Sequence, residues 1–507
     1  MDITLLRTFS TTRRIKTGSW SRFQPVFLSS VSPCMEACPL GIDMPQLYWL
    51  YQQKGVKEAL SCLVRFNPFA PITGRVCPGF CEERCNRSRF DEAVAIRDLE
   101  RFLGDILFSE RVFPAKEDWK GKRVAVVGSG PAGLLCAWEL AVSGFEVAVF
   151  EREPEAGGIL AWGIPDFRLE KSVVFSAVRR LEELGVRIET GMEVKPDDVN
   201  TLCDEFDEVV VAVGLQKPRM LPVKNSQYAL LGLDVLKRYN REGVLPEGDV
   251  VVVVGGGNVA VDVARVFARC GRRVYLVCVE PEDEMPAIRE EVEEAKGEGV
   301  EILASFGVKE VLVEGDRVRG VRIGRVRITG ERDGLKEIEF VEPHDRVIEC
   351  ELSVFCVGQE PEFLWPENVW VCGDAATGPS TVAQAMADGR KTASAIRQRY
   401  EASSSGGVKD ISWDRDRIEV IDFGELNLWY FSRSKRERVI DGESALSEMK
   451  RCFSCGYCNG CGNCWVFCPD VAVVLEEKPV LDAEHCKGCG ICASECPRGV
   501  VFMKLKA

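Results

Sequence analysis

The chain has 507 residues, a formal net charge of -14 at pH 7 and a sequence pI of about 5.1. This acidity excludes a general nucleic-acid surface, which needs a basic stripe. No apolar run reaches the roughly 18 residues that a membrane-spanning helix needs, so we expect no transmembrane segment and a cytoplasmic protein.

The cysteines are the strongest compositional signal, since the chain has 23 of them and only 2 histidines, His344 and His485. They crowd the first 90 residues and, above all, the residues after 450. The sequence shows no secretory signal, so a disulfide framework is a poor explanation and metal binding is a better one.

In chain order, helical periodicity comes first, within residues 1–115. Residues 121–151 then have the pattern of a strand, a glycine turn, a helix and a strand, and residues 249–280 repeat it. The composition of residues 401–410, EASSSGGVKD, is typical of a linker. The cysteine-rich end follows from about residue 446.

The first glycine turn lies in KRVAVVGSGPAGLLCAWELAVSGFEVAVFE, where Gly128, Gly130 and Gly133 separate an apolar strand from a helix. These glycines permit a tight turn and the close approach of a pyrophosphate to the helix N-terminus. Glu151 ends the second strand, where an acid can bond ribose hydroxyls. Because every element falls in order, the stretch predicts a dinucleotide site.

The second glycine turn has Gly255, Gly257 and then Ala260, and its second strand ends at Glu280. An acid at that place favours NAD, whereas the 2′-phosphate of NADP favours arginine. The alternative for either turn is a Rossmann turn that binds no phosphate. Two such turns in one chain indicate a flavin and a nicotinamide nucleotide.

The cysteine-rich end contains two runs with the bacterial ferredoxin spacing CxxCxxCxxxCP, in which the fourth cysteine ligates the cluster of the other run. One [4Fe–4S] cluster is therefore assigned to Cys458, Cys461, Cys464 and Cys496, and a second to Cys468, Cys486, Cys489 and Cys492. The alternative, a zinc ribbon, uses two CxxC pairs rather than two four-cysteine runs that end in proline. Cys452 and Cys455 form one further CxxC, which we interpret as non-ligating, although a shift in the ligation register stays open.

Four later segments have a specific order: GGILAWGIPDFRLEK, VVVAVGLQKPR, VFCVGQEPEF and VWVCGDAATGPSTVAQAMADGRKTASAI. With the two turns they resemble the glutamate synthase small-subunit family of flavin-dependent NAD(P)H oxidoreductases, over residues 30–400. The resemblance implies FAD in the first fold and NAD(P)H in a domain inserted into it. Asp374 would then lie by the flavin ribityl and phosphates, and Thr381 would begin a helix that faces the flavin.

The cofactor-binding residues expected from the turns and the resemblance are Gly128, Gly130, Pro131, Ala132, Gly133, Glu151, Gly158, Arg168, Gly214, Gly255, Gly257, Asn258, Val259, Ala260, Glu280, Gly358, Gly373, Asp374, Thr381, Val382 and Ala383. No side chain is expected to be catalytic, since the cofactors supply the chemistry.

The N-terminal cysteines, in PCMEACP and GRVCPGFCEERCNRS, fit the same family, whose fuller members hold two [4Fe–4S] clusters in this region. This chain departs from them, because no CxxC precedes Cys34. The resemblance therefore implies one N-terminal cluster, and its ligands are Cys38, Cys77 and Cys81, with Cys85, Cys34 or Glu100 open as the fourth. Zinc or unligated structural thiols are the alternatives.

NADPH-using members of the family carry paired arginines where Val279 and Glu280 stand, so we expect NADH to be preferred over NADPH. The appended ferredoxin resembles that of iron–sulfur flavoproteins which serve sulfite reductase or 2-oxoacid or aldehyde oxidoreductases. We therefore expect an enzyme subunit that passes electrons between NADH, FAD and clusters, to or from a partner oxidoreductase. A glutamate synthase small subunit, a flavin-bifurcating NADH–ferredoxin transhydrogenase subunit and a non-catalytic metal-stabilised scaffold are the alternatives.

The expected fold class is α/β with iron–sulfur domains at both ends. The expected domains are a helical iron–sulfur domain (1–115), an FAD-binding Rossmann-like domain in two parts (116–225 and 345–400), an inserted NAD(P)H-binding Rossmann-like domain (226–344), a linker (401–445) and a two-cluster ferredoxin domain (446–507).

Overall fold

A computed structural model describes residues 16–332, 335–341, 345–401, 419–476 and 478–506. The chain divides into two compact units, Ala115–Tyr400 on the one hand and Met1–Pro114 with Glu401–Ala507 on the other. The N-terminal and ferredoxin segments, which the sequence treats as two domains, thus share one unit. His344 and residues 402–418 of the expected linker lie outside the described residues. Among the residues described, no helix combines the length and apolar character needed to cross a membrane.

The N-terminal part of the first unit is a strand followed by short helices. They are β1 (Phe23–Phe27), α1 (Pro33–Ala37), α2 (Met44–Gln53), α3 (Val56–Phe66), α4 (Ala70–Val76), α5 (Phe80–Glu83) and α6 (Ile96–Ser109). Helices α4 and α6 cross closely because each has a glycine at the contact. A Cβ at Gly74 would lie 2.5 Å from the backbone N of Arg101, and one at Gly104 would lie 2.5 Å from the N of Pro71. This crossing brings Cys77, which follows α4, near Glu100 on α6.

The second unit alternates strands and helices. Its elements are β2 (Arg123–Val127), α7 (Pro131–Val142), β3 (Glu146–Glu151), α8 (Ile159–Trp162), α9 (Lys171–Glu183), β4 (Arg187–Thr190), α10 (Val199–Glu205), β5 (Glu208–Val211), β6 (Lys217–Pro218), β7 (Leu230–Leu231), α11 (Gly232–Glu242), β8 (Val250–Val254), α12 (Asn258–Arg269), β9 (Arg273–Cys278), α13 (Arg289–Gly297), β10 (Glu301–Ala304), β11 (Phe306–Glu314), β12 (Arg317–Arg332), β13 (Leu335–Phe340), β14 (Arg346–Glu349), β15 (Leu352–Phe355), β16 (Gln359–Glu360), β17 (Trp370–Val371), α14 (Asp374–Thr377) and α15 (Val382–Glu401).

Two parallel sheets form the frame of this unit. The first has the strand order β17-β5-β2-β3-β4 and the second has the order β10-β9-β8-β15-β7. Strand β15 pairs in parallel with β8, so the second sheet takes up a strand from the segment that the sequence places in the FAD-binding domain. Residues 352–355, LSVF, form a short and mostly buried strand, which suits a parallel sheet that is covered on both faces.

The second sheet is buried on both faces, as a parallel sheet requires. Val251 and Val253 pack in a cluster with helix α12, whereas Val252 and Val254 pack in a different cluster with β11 and β12. Strands β11, β12 and β13 form an antiparallel sheet, and β14 also pairs with β12. Both faces of β8 are covered by other elements, and this explains why every residue of the strand is an apolar valine.

The C-terminal part of the first unit contains short helices and hairpin strands. They are α16 (Gly442–Arg451), α17 (Asn463–Val466), β18 (Val473–Leu475), β19 (Pro479–Leu481), α18 (Ile491–Ser494) and β20 (Val501–Leu505). Short 3₁₀ segments lie at Asn86–Arg89, Pro196–Asp198, Ser226–Tyr228, Glu282–Glu284, Phe423–Glu425 and Leu428–Tyr430. Strand β20 pairs antiparallel with β1, from Phe23 opposite Leu505 to Phe27 opposite Val501. The N-terminal strand is thereby fixed to the ferredoxin segment.

Candidate functional site

The first glycine turn connects β2 to α7 and leaves room for a ligand at one position. Gly128 has φ +100°, and a Cβ there would lie 2.6 Å from the carbonyl oxygen of Ala212. A Cβ at Gly133 would lie 2.0 Å from the carbonyl oxygen of Gly128, so this glycine lets the helix pack against the turn. A Cβ at Gly130 would meet nothing within 4 Å. The open space at Gly130, at the N-terminus of α7, fits a pyrophosphate group.

Glu151, at the end of β3, is tied to this turn. Its Oε2 accepts hydrogen bonds from the backbone N–H of Ser129 at 3.0 Å and from the Ser129 hydroxyl at 2.5 Å. The Ser129 Oγ also accepts a hydrogen bond of 2.9 Å from the N–H of Gly157. Sequence reasoning missed Ser129, which occupies the unspecified position between two glycines of the fingerprint. Its hydroxyl holds the acid and the Gly157 loop at the same end of the turn.

A cleft runs along this turn and brings together many of the predicted residues. Those that line it are Gly128, Gly130, Pro131, Ala132, Glu151, Gly158, Gly214, Gly373 and Asp374. Trp162 also lines the cleft, and its Nε1 is buried without a hydrogen-bond partner among the described residues. A buried N–H of that kind needs an acceptor, and FAD carries several. The cleft therefore fits FAD, and Trp162 is a contact that the glycine pattern alone did not single out.

The segment around Asp374 closes the cleft from the C-terminal side. A Cβ at Gly373 would lie 2.7 Å from the Cβ of Ala132, so glycine allows this segment to approach the first turn. Burial raises the pKa of Asp374, although the Ser380 hydroxyl donates it a hydrogen bond of 2.5 Å. The backbone N–H of Thr381 donates to Oε1 of Gln384 at 3.1 Å, just before α15 begins.

Apart from the residues of the second glycine turn, some predicted residues lie away from the lining of the cleft. They are Gly133, Arg168, Gly358, Thr381, Val382 and Ala383. Arg168 instead holds the carboxylate of Asp262 on α12, with Nη1 at 2.9 Å from Oδ1 and 2.7 Å from Oδ2. The Arg168 side chain is 6% exposed and that of Asp262 is 5% exposed. Arg168 thus links the loop after α8 to the helix of the second turn, a contact between segments that sequence spacing does not encode.

The second glycine turn repeats the geometry of the first. Gly255 has φ +137°, and a Cβ there would lie 2.3 Å from the carbonyl oxygen of Cys356. A Cβ at Gly257 would meet nothing within 4 Å, and Ala260 is fully buried at the helix contact. A Cβ at Gly256 would lie 2.7 Å from Oε2 of Glu280. The Glu280 carboxylate therefore lies against the turn, where the ribose of a bound nucleotide would contact it.

Two residues at the start of α12 complete this turn. Asn258 accepts a hydrogen bond of 2.9 Å at its Oδ1 from the backbone N–H of Ile288, and the half-buried Val259 follows it. The side chain of Asn258 thereby anchors the loop after Glu280 to the helix N-terminus, and the turn is held ready for a nucleotide.

The ferredoxin cysteines surround two separate cavities. Cys458, Cys461, Cys464 and Cys496 line one, and Cys468, Cys486, Cys489 and Cys492 line the other. These are the two sets that the spacing assigns. Gly462 at φ +82° and Gly490 at φ +80° begin the equivalent helices α17 and α18, so the two runs have matching turns. Each cavity could hold one [4Fe–4S] cluster.

Three N-terminal cysteines lie around a buried acid. Glu100 is 6% exposed, and its charge helps to raise the pKa values of Cys38, Cys77 and Cys81, in each case after burial. Its Oε1 accepts hydrogen bonds from Asn67 at 2.7 Å and Thr73 at 2.6 Å. Burial raises the pKa of Glu100 to about 7. Cys34 and Cys85 line a separate cavity, which leaves Glu100 as the candidate fourth ligand beside these three cysteines.

Family models match three parts of the chain. The one described as "Pyridine nucleotide-disulphide oxidoreductase" matches residues 122–365 and contains both glycine turns. The one described as "Dihydroprymidine dehydrogenase domain II, 4Fe-4S cluster" matches residues 28–112, and "4Fe-4S binding domain" matches residues 479–502. The matches thus fall on the nucleotide turns, the N-terminal cysteines and one ferredoxin run.

Similar proteins include subunits of larger oxidoreductases. NADP(+)-dependent formate dehydrogenase subunit beta from Moorella thermoacetica is 31% identical over 435 residues, 75% of this chain and 61% of that protein. NADPH-Fe(3+) oxidoreductase subunit beta from Geobacter sulfurreducens is 32% identical over 355 residues, 67% of this chain and 53% of that protein. The glutamate synthase (NADPH) small chain from Halomonas elongata is 34% identical over 361 residues, 67% of this chain and 76% of that protein. The chain therefore spans only 61% and 53% of the first two relatives.

Proposed function

Since this chain belongs to the glutamate synthase small-subunit-like family of FAD- and iron–sulfur-dependent NAD(P)H oxidoreductases, we propose that it passes electrons between NADH and a partner oxidoreductase. The proposal rests on one observation. One unit contains two open glycine turns, and the other contains cysteine-lined cavities. FAD bound at the first turn would exchange a hydride with the nicotinamide and exchange single electrons with the clusters.

The chain's own residues bind and orient in this scheme. Gly130 and Gly257 leave space for phosphates, Glu151 and Glu280 face the ribose positions, and Trp162 offers an N–H donor within the cleft. The cysteine sets provide the thiolates that iron–sulfur clusters need. No acid–base side chain is required for hydride transfer, which depends on placement and on the exclusion of water.

The preference for NADH depends on Glu280. Its carboxylate lies against the second turn, and Glu282, Asp283 and Glu284 follow it in the chain. Negative charge at this place repels a 2′-phosphate and can accept hydrogen bonds from a free 2′-hydroxyl. The names of the relatives given above refer to NADP or NADPH, so a direct comparison of the two nucleotides is the decisive test. We expect a higher kcat/KM with NADH, and a higher kcat/KM with NADPH would contradict this part of the proposal.

The partner is proposed to be a second redox subunit, such as one of the sulfite reductase, 2-oxoacid or aldehyde oxidoreductase, or glutamate synthase type. The relatives support this because their names mark them as a subunit beta or a small chain. A glutamate synthase small subunit is the second candidate, favoured by 34% identity across 76% of the Halomonas elongata protein.

Anaerobic purification from the native host, with identification of the chains that accompany this one, tests the partner. We expect a stoichiometric oxidoreductase chain that accepts or donates electrons. A large glutamate synthase chain would establish the second candidate. Isolation of the chain alone, with full activity from NADH to free ferredoxin, would contradict the role as a subunit.

A further inference from the structure

We propose that Cys34, Cys85, Cys452 and Cys455 ligate an additional [4Fe–4S] cluster, beyond the one N-terminal cluster and the two ferredoxin clusters expected from the sequence. These cysteines come from opposite ends of the chain, yet they line one cavity within the first unit. Cys452 and Cys455 supply the CxxC that is missing before Cys34. The assignment of ligands is independent of the proposed electron-transfer function.

The cavity matches those of the ferredoxin runs in size. Its cavity volume is about 20 Å³, the same as that of the cavity lined by Cys458, Cys461, Cys464 and Cys496. The second ferredoxin cavity has a volume of about 10 Å³. A space of this size, surrounded by four cysteines, fits the same kind of cluster.

The four thiols lie near one another in a buried site. Cys34 and Cys455 are buried, and Cys85 and Cys452 are half-buried, where all four line the same cavity. Four thiolates packed together in such a place would repel one another strongly, unless bound metal neutralises them. A cluster supplies that positive charge.

Polar donors surround the sulfur atoms, as the ligands of a cluster require. The backbone N–H of Ser454 donates to Sγ of Cys452 at 3.3 Å, and Nδ2 of Asn86 donates to Sγ of Cys455 at 3.6 Å. The hydroxyl of Ser32 lies 3.3 Å from Sγ of Cys34. These contacts stabilise negative charge on sulfur and orient the thiolates towards the cavity.

A buried ionic network holds the C-terminal CxxC at this place. Arg451, directly before Cys452, is 5% exposed, and its Nη1 donates to Oε1 of Glu448 at 2.6 Å. Its Nη2 also donates to the backbone carbonyl of Glu92 at 2.7 Å, in the N-terminal part of the chain. Glu448 in turn accepts a hydrogen bond of 2.8 Å from the N–H of Ala95. The loop that carries Cys452 and Cys455 is therefore fixed to the segment that carries Cys85.

A single zinc ion is the competing occupant. Its four sulfur ligands would converge to about 2.3 Å from one point. Within the part of the chain that the structure describes, no group of three or more His, Cys, Asp or Glu side chains converges in a way that could hold one ion. The ferredoxin cysteines share this wider arrangement, which suits a cluster because each of its ligands binds a different iron atom.

The position of this site suggests its role, and this step does depend on the proposed function. Cys34 precedes Cys38, Cys85 follows Cys81 and Cys455 precedes Cys458, so three of the ligands are chain neighbours of other clusters' ligands. Three residues of extended chain span about 11 Å at most between Cα atoms, and four residues span about 14 Å. The additional cluster would therefore connect the N-terminal cluster to the ferredoxin clusters.

Iron and acid-labile sulfide content of the anaerobically reconstituted full chain tests the proposal. Each of the variants Cys34→Ser and Cys455→Ser should lose about four iron atoms per chain. The double variant should also lose only about four, because both cysteines bind the same cluster. Combining Cys455→Ser with Cys461→Ser should remove about eight. Cys62→Ser, on helix α3 and away from the cavity, should retain the wild-type iron content.

Retention of the wild-type iron content in Cys455→Ser, or additive losses in the Cys34→Ser and Cys455→Ser pair, would overturn the proposal. If these variants fail to fold, the wild-type protein decides. About sixteen iron atoms per chain support four clusters, whereas about twelve or fewer, or one zinc ion per chain beside them, contradict the additional one. FAD content and reduction of the flavin by NADH report separately on the proposed function, and the control Cys62→Ser should leave both unchanged.

Discussion

The backbone N–H of Ser129 donates a hydrogen bond of 3.0 Å to Oε2 of Glu151, which joins the end of the second strand to the first glycine turn. Glu151 is 5% exposed, so its carboxylate is held in place by the Ser129 donors and would contact a bound ribose. We predict that Glu151→Ala weakens FAD binding by about tenfold or more, because a charge-assisted hydrogen bond contributes about 1.5–3 kcal/mol. FAD retained per chain after dialysis measures this effect. Glu155→Ala, which alters an exposed acid of the following loop, should retain FAD normally.

The charge of Glu280 should set the nucleotide preference. We predict that Glu280→Arg lowers kcat/KM for NADH and raises kcat/KM for NADPH, so that their ratio shifts by at least about tenfold. Steady-state reduction of an artificial dye with each nucleotide measures the ratio. Glu247→Arg changes an exposed acid of the same domain and should leave the ratio as in the wild type. An unchanged ratio in Glu280→Arg would show that this carboxylate does not meet the ribose.

Lys171 should make the stability of the flavin-binding unit vary with pH in the alkaline range. Burial lowers the pKa of Lys171 to about 8, and its Nζ donates hydrogen bonds to the carbonyl oxygens of Ile164 and Leu160. A lysine whose folded-state pKa is depressed releases its proton more readily when folded, so stability rises with pH between the folded and unfolded pKa values. This contribution of Lys171 to the free energy of unfolding is present above about pH 10.4 and is lost as the pH falls through about 8.

The thermal midpoint of flavin release, followed by fluorescence from pH 7.5 to 10, checks this pH dependence. Relative to Lys171→Met, the wild type should gain stability as the pH rises. Lys54→Met removes an exposed lysine and should show the same pH dependence as the wild type. Parallel pH profiles for the wild type and Lys171→Met would refute the effect.

Asp91 should stabilise the iron–sulfur unit through two buried arginines. Burial opposes its ionisation, but hydrogen bonds from Arg87 and from the backbone N–H of Ser434 outweigh that effect and lower the pKa of Asp91 to about 2. Its Oδ2 lies 2.6 Å from Nη2 of Arg87, and its Oδ1 lies 3.3 Å from Nη2 of Arg451. We predict that Asp91→Asn destabilises this unit by about 3 kcal/mol, because it leaves buried positive charge uncompensated.

Thermal loss of cluster absorbance should therefore occur at a lower temperature in Asp91→Asn, whereas flavin release should not shift. Glu83→Gln, at an exposed carboxylate of the same unit, serves as the control. Equal destabilisation by both substitutions would mean that the buried ion pairs of Asp91 contribute no more to stability than an exposed carboxylate does.

Local patterns predicted much of the molecule. The family and the α/β fold class are confirmed by the matches to residues 122–365, 28–112 and 479–502. The glycine fingerprint placed Gly128 and Gly255 at real turns because strand, glycines and helix are contiguous. The ferredoxin spacing placed its cysteine sets around separate cavities for the same reason, since neighbours in sequence determine which thiols can meet.

Contacts between distant segments could not be predicted from local sequence patterns. No local signal indicates that β1 pairs with β20, that Arg168 meets Asp262, or that Cys34 lies beside Cys452. Such contacts depend on packing between elements that are far apart in the chain. Sequence periodicity carries no information about which distant elements pack together. Strand β15 shows the same limit, because an apolar run of four residues is compatible with either parallel sheet.

The most direct test of electron transfer is an anaerobic titration of the reconstituted protein with NADH, followed by flavin absorbance and by the electron paramagnetic resonance of the clusters. We predict that the flavin band bleaches and that signals of reduced [4Fe–4S] clusters then grow. In flavin-depleted Glu151→Ala, NADH should leave the clusters oxidised, although dithionite still reduces them. Cluster reduction by NADH without flavin, or a bleached flavin beside clusters that only dithionite reduces, would contradict the account.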